Sequence, residues 1–212
     1  MARHNKGILN EFSGKVDTVV GSSWNGIPYI RGLPSTLKKR KPSELQVARQ
    51  ARFALGVRLI QSMGELTAKC FKGVKGKTVK NEAMSRLLSQ AVCGTYPDLR
   101  FDYSQVEIAR GQLKKAEEVS AVTAGPGQIS FSWRDNTCTG NAAADDRAVL
   151  VACRADTMDI MYSLDGGQRS AGTALLDTRF FSGKSEHVWF SFLNADGSMA
   201  ADSVYVGLLV LG

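Results

Sequence analysis

Gln128–Arg134, QISFSWR, and Arg147–Arg154, RAVLVACR, decide the kind of fold this 212-residue chain adopts. Both are short segments with apolar residues alternating along the chain, the period-two pattern of strands with a buried face. Four more follow: DIMYSL at 159–164, TALLDT at 173–178, HVWFSFL at 187–193 and SVYVGLLVL at 203–211. Turn chemistry separates them, in Gly125-Pro126-Gly127, Asp135-Asn136, Asp165-Gly166-Gly167, Ser182-Gly183 and Asp196-Gly197. Six or seven short strands over about 90 residues predict an antiparallel β-sandwich of the immunoglobulin/fibronectin-III type. Trp133, ending the first strong strand, suits the core tryptophan of such domains.

Upstream of about residue 118 the grammar is different. GKVDTVVGSSWNGIPYIRG, Gly14–Gly32, predicts a hairpin, because Asn25 and Gly26 both tolerate the positive φ of a type I′ turn. Pairing Trp24 with Ile27 puts Ser22 opposite Tyr29 and Val20 opposite Arg31, all on one face. Val19, Gly21, Ser23, Pro28 and Ile30 take the other. Pro28 has no N–H, so its strand belongs at an edge or is interrupted there. A P-loop is excluded by spacing, since a β-branched run follows Gly14-Lys15 where a helix must begin. A hairpin alone is marginal in water, so this one needs a surface to dock on.

Lys38, Lys39, Arg40 and Lys41 form a basic linker between Pro34 and Pro42. Ser43 and Gln46 make a capping box. A helix follows to Met63 or beyond, with Leu45, Ala48, Ala51, Leu55, Leu59 and Leu66 as its stripe, widened by Phe53, Val57 and Ile60, and with Gly56 as an internal weakness. Lys72–Lys80 reads as a basic loop. Asn81 is the expected cap of a second helix over Glu82–Val92, stopped by Gly94. Tyr96-Pro97-Asp98 turns the chain into a strand in LRFDYSQVEIARG, with Phe101, Tyr103 and Val106 in the core. The fold class is therefore α+β, with a basic hairpin-and-helix region over 1–117 and a sandwich over 118–212.

Charge is unevenly placed within the net of +7. Residues 1–80 hold 16 Lys/Arg against 4 Asp/Glu, whereas residues 119–212 hold 6 against 10. Such asymmetry suits nucleic acid, or basic and acidic surfaces of separate copies attracting one another. Aromatics are sparse among the basic residues, Phe53 and Phe71 read as core, and no nucleic-acid-binding motif matches. Nucleic acid is thus the second reading and a monomeric adhesin or adaptor the third.

For chemistry the chain offers little. Cys70, Cys93, Cys138 and Cys153 form no CxxC pair and only His4 and His187 accompany them, so free and mostly buried thiols are expected, with no metal or cofactor. His187 reads as a packed strand residue. Asp145-Asp146 has no calcium-loop spacing and reads as a loop end meeting Arg147 or Arg169. No enzyme is expected. No run is long enough to span a bilayer. The start lacks the apolar stretch of a secretory signal, which predicts synthesis in the cytoplasm and leaves a place in an extracellular or virion-like assembly open.

GILNEFSGKVDTVVGSSWNGIPYIRGLP, SELQVARQARF, YPDLRFDYSQVEIARGQL, FSWRDNTCTGNAAADDRAVLVA, RSAGTALL and SVYVG, in that order, resemble an uncharacterised domain-of-unknown-function family of Bacteroidota with an FSGKVxxVVGSSWxG opening. The family has Gly-Gly where this chain has Asn10-Glu11, and glycine at Asp17. The resemblance implies a hairpin-plus-helices front and a C-terminal sandwich, and no catalytic residue. Taken together, the residues predict a non-enzymatic structural protein that self-assembles into a filament, tube or phage-like particle. Its interface is expected at Val20, Trp24, Ile27, Tyr29, Ile30, Arg31, Lys38, Lys39, Arg40 and Lys41, and its partner is a second copy, head to tail.

Overall fold

A computed structural model describes residues 3–4, 12–33, 41–73, 76–181 and 184–210. The chain divides into two compact units, Met1–Ser43 and Glu44–Gly212. The helices lie in the same unit as the sandwich because they share a core with it.

The first unit is an antiparallel sheet in the order β1 (Arg3–His4), β2 (Phe12–Val16), β3 (Val19–Trp24), β4 (Ile27–Gly32). Asn25 and Gly26 both have positive φ, 54° and 80°, as the type I′ turn demands. The expected register holds, with Trp24 opposite Ile27, Ser22 opposite Tyr29 and Val20 opposite Arg31. The β-branched run before it is not one strand. The chain reverses at Asp17-Thr18, where Asp17 adopts φ 50°, and Val16 pairs with Val19.

In the second unit α1 (Glu44–Met63) is followed by a break at Gly64 (φ 50°) and a short α2 (Glu65–Cys70). α3 (Val79–Arg86) starts earlier than its sequence suggests. Thr78, not Asn81, is its cap, and its hydroxyl accepts from the Asn81 N–H at 3.3 Å. A π-helical turn, Leu87–Ala91, completes it. The strand expected in LRFDYSQVEIARG is mostly absent. Arg100–Phe101 (β6) pairs with Val92–Cys93 (β5), Arg110 makes a single parallel bridge to Phe71, and Tyr103–Gln105 is 3₁₀. Between β6 and that bridge the segment is held by single bonds to the strand Ser185–Leu193 and to the residue that precedes the strand Val204–Val210: Trp189 Nε1 donates to the Val106 carbonyl at 3.0 Å and the Ile108 N–H to Ser203 Oγ at 3.1 Å.

All six apolar segments of the C-terminal half are strands, and a seventh, β7 (Glu117–Gly125), precedes them. β7, β8 (Gln128–Arg134) and β11 (Thr173–Asp177) form one sheet, with β8 central. β9 (Arg147–Arg154), β10 (Ile160–Ser163), β12 (Ser185–Leu193) and β13 (Val204–Val210) form the other, in the order β10-β9-β12-β13. The molecule is thus α+β with an antiparallel fibronectin-III-like sandwich, as its sequence predicts. On the inward face of this sheet Phe190 stands beside Leu150 and Phe192 beside Ala148, as cross-strand neighbours of β12 and β9. Trp133 is buried there, 4.9 Å from Phe190, and its indole N–H donates to the Arg169 carbonyl at 2.8 Å.

β9 explains the domain organisation. Ala148, Leu150 and Ala152 point into the sandwich, while Val149, Val151 and Cys153 join Leu59, Met63, Leu66 and Phe71 of the helical layer. RAVLVACR is therefore apolar on both faces, as a strand covered on both sides must be. β12 repeats the pattern, with Val188, Phe190 and Phe192 inward and Trp189 and Leu193 outward.

Candidate functional site

Within the N-terminal sheet one glycine fixes the geometry. A Cβ on Gly21 would lie 2.2 Å from the Phe12 carbonyl oxygen and 2.7 Å from its ring, so β2 and β3 approach this closely only because residue 21 has no side chain. Among the described residues 12–33, Gly21 alone is buried.

One face carries Val20, Ser22, Trp24, Ile27, Tyr29 and Arg31, with Lys15 opposite Val20. The other carries Val16, Val19, Pro28 and Ile30. Apolar side chains are exposed on both: Trp24 by 67%, Ile27 by 65% and Tyr29 by 42% on the first, Ile30 by 66% and Val16 by 50% on the second. The expected interface residues are therefore split. Val20, Trp24, Ile27, Tyr29 and Arg31 share a face, and Ile30 stands on its back. Lys41 is exposed, and Lys38, Lys39 and Arg40 lie outside the described residues.

The second unit adds an apolar cleft that its sequence pattern conceals. Phe53, expected in the core, is 54% exposed and lines a groove of about 610 Å³ with Val57, Ile60, Lys80 and Met84. Leu45 is likewise exposed, so only the second half of α1 buries its stripe. Gly56 is less a weakness than a contact point: a Cβ there would meet Met84 Sδ at 2.9 Å and Leu88 at 3.1 Å. Arg52 donates to the Leu88 and Val92 carbonyls at 2.7 and 2.9 Å, closing the end of the π-helical turn.

The residues considered for catalysis are engaged in packing. His187 Nδ1 lies 2.8 Å from the Tyr205 hydroxyl, its ring is stacked on Tyr103 at 3.8 Å, and burial holds its pKa below the ordinary histidine value. Asp145 is exposed, whereas Asp146 meets Arg169, one of the two arginines expected, at 2.9 Å with both side chains buried. Arg169 also donates to Asn136 Oδ1 at 2.6 Å and the Lys114 carbonyl at 3.0 Å, and lies 3.7 Å over the Phe192 ring. All four cysteines are free thiols, but only Cys70 and Cys153 are buried, and burial pushes both up to about 12. Among the described residues no group of three or more His, Cys, Asp or Glu is placed to hold a metal ion, and no helix is long and apolar enough to cross a membrane.

Glu186 carries no sequence signal beyond its place before His187. It is buried, neither of its carboxylate oxygens has a hydrogen-bond partner, and burial pushes it up to about 7 against the pull of Arg154. Arg154 is itself held by Asp156 at 2.8 Å.

Over residues 11–207 the sequence matches the model of a family described as a family of unknown function (DUF6266). No curated protein matches the chain in sequence. Among solved structures, the FN1–FN3 domains of chicken CNTN1 align at 10% identity and TM-score 0.38, over 49% of this chain and 33% of that one. The chain thus covers about a third of that protein's length. A computationally redesigned β-sandwich protein aligns at 11% identity and TM-score 0.35, over 48% of this chain and 92% of that one.

Proposed function

The chain belongs to that family of unknown function, and from this premise we propose that it is a non-enzymatic structural protein that self-assembles through its N-terminal sheet into a filament, tube or phage-like particle. On the same reading Phe12–Gly26 is the signature opening of a Bacteroidota family. The observation that carries the proposal is the exposure of Trp24 by 67%, Ile27 by 65% and Tyr29 by 42% on one face of a sheet in which only Gly21 is buried among the described residues 12–33. Isolated large apolar side chains are common on surfaces, but a cluster of this kind marks an interaction site.

Magnitudes favour repeated weak contacts. Burying Trp24, Ile27 and Tyr29 on one face would contribute roughly 5–9 kcal/mol before costs, and association costs about 4–15 kcal/mol. One such contact gives a concentration-dependent pair. A polymer accumulates many, and the basic front and acidic back of the chain add steering between copies. Trp24→Ser removes the largest anchor and is expected to move the full chain to monomer in sedimentation velocity at concentrations where the parent associates. An unchanged distribution for this variant contradicts the role of the sheet.

Nucleic acid remains the second reading because residues 1–80 are strongly basic. A filter-binding titration separates the two: binding that falls steeply with salt supports nucleic acid, and none at low salt removes it.

A further inference from the structure

β4 is the open edge of the N-terminal sheet, since among the described residues its only ladder is to β3. In a two-residue hairpin the pair flanking the turn is hydrogen-bonded, and bonded pairs alternate from there. Ile27, Tyr29 and Arg31 therefore direct their backbone groups at β3, and Pro28, Ile30 and Gly32 direct theirs outward. The single proline sits where its missing N–H costs the sheet nothing. It also leaves Ile30 and Gly32 as the outward donors.

We propose that β4 pairs antiparallel with β4 of a second copy, about a two-fold axis at Ile30, which rests on the assembly reading above and supplies its dimeric unit, the polymer needing a second contact beyond it. Three registers bring outward groups face to face near the strand's middle. Centring on Tyr29 sets Pro28 against Ile30 of the partner subunit, so both pairs beside the axis make one bond instead of two, whereas centring on Ile30 confines that missing donor to the outer pairs and keeps a full two-bond pair at the axis. Centring on Arg31 sets it against the partner's Arg31, and like charges directly opposite are destabilising. Centring on Ile30 makes a bonded pair of Ile30 with the partner's Ile30. It also lets each Gly32 N–H donate to the C=O of the partner subunit's Pro28. On the face that carries Trp24 it places Tyr29 opposite the partner's Arg31, a cation–π pair made twice, and Ile27 opposite the partner's Leu33, apolar on apolar. The strand is thus self-complementary in one register, which an isologous interface requires.

The test is cysteine cross-linking of the full chain with Cys93 and Cys138 replaced by serine. Residues opposite each other in a bonded pair have Cα atoms about 5.5 Å apart, within disulfide reach. Ile30→Cys is expected to give a covalent dimer on mild oxidation. Tyr29→Cys and Arg31→Cys are each expected to stay uncross-linked alone and to form a dimer when mixed. Ile30→Pro, which removes an outward N–H and leaves the ladder to β3 intact, is expected to abolish these dimers and leave the melting of the second unit unchanged. Cross-linking of Arg31→Cys with itself, or none at residue 30 while light scattering still shows oligomers, overturns the register and spares the assembly reading. A strict monomer in light scattering overturns both.

Discussion

Arg169 shows how one buried charge organises a loop end of the sandwich. Its guanidinium satisfies Asp146, Asn136 and the Lys114 carbonyl, and Phe192 covers its face. Breaking a buried pair from one side strands the other charge, so Arg169→Ala is expected to cost about 3–5 kcal/mol in urea denaturation. Adding Asp146→Asn should recover part of that loss. Glu186 presents the opposite case, a buried carboxyl without a partner. Its folded pKa of about 7 lies above the ordinary 4.5, so the folded state holds a proton that the unfolded state releases. Stability from this group is present below the unfolded value and declines as pH rises from 4.5 to about 7, by about 3 kcal/mol in all. Glu186→Gln is expected to flatten that slope, which denaturation midpoints across the range will read. An unchanged slope would place the titration elsewhere. The first pairing was legible, since Asp145-Asp146 announced a meeting with Arg147 or Arg169, but Glu186 sits in an alternating strand where a charged residue reads as solvent-facing.

At the scale of elements, signals confined to neighbouring residues were legible and those set by distant packing were not. Asn25-Gly26 fixes its own turn, and from it the whole β3–β4 register followed. Asp17-Thr18 turns the chain with no glycine, so Val16 to Val20 looked like one strand. The apolar stripe of α1 promised burial along its length, yet the rest of the second unit covers only its C-terminal half, and Phe53 and Leu45 are left exposed. LRFDYSQVEIARG alternates well enough for a strand, but its partners are scattered over β5, Phe71, β12 and Ser203, so no long ladder forms. The structural reason for Gly21 is equally non-local. Gly21→Ala would push a methyl into the Phe12 carbonyl, and is expected to abolish hydrogen-exchange protection of the β2–β3 amides without lowering that of β9 or β12. Equal protection in the variant would show that β2 can move aside.

For the whole molecule, the two-face burial of β9 and β12 makes the helices and sandwich one folding unit. A fragment of residues 44–212 is expected to unfold in a single cooperative transition. A fragment of residues 118–212 would expose Val149, Val151 and Trp189 to water, and is expected to be insoluble or molten. The sandwich itself could be read from strand spacing alone, because its turns and alternation are local. The unbroken apolar run over 148–153 shows that both faces of β9 need cover, but nothing in the run says that helices supply it. The central claim, that the N-terminal sheet drives self-association, is tested most directly by multi-angle light scattering of the full chain and the 44–212 fragment over rising concentration at low salt. The account predicts that the mass of the full chain grows with concentration while the fragment stays monomeric. A full chain that remains monomeric throughout, or a fragment that associates as readily, would contradict it.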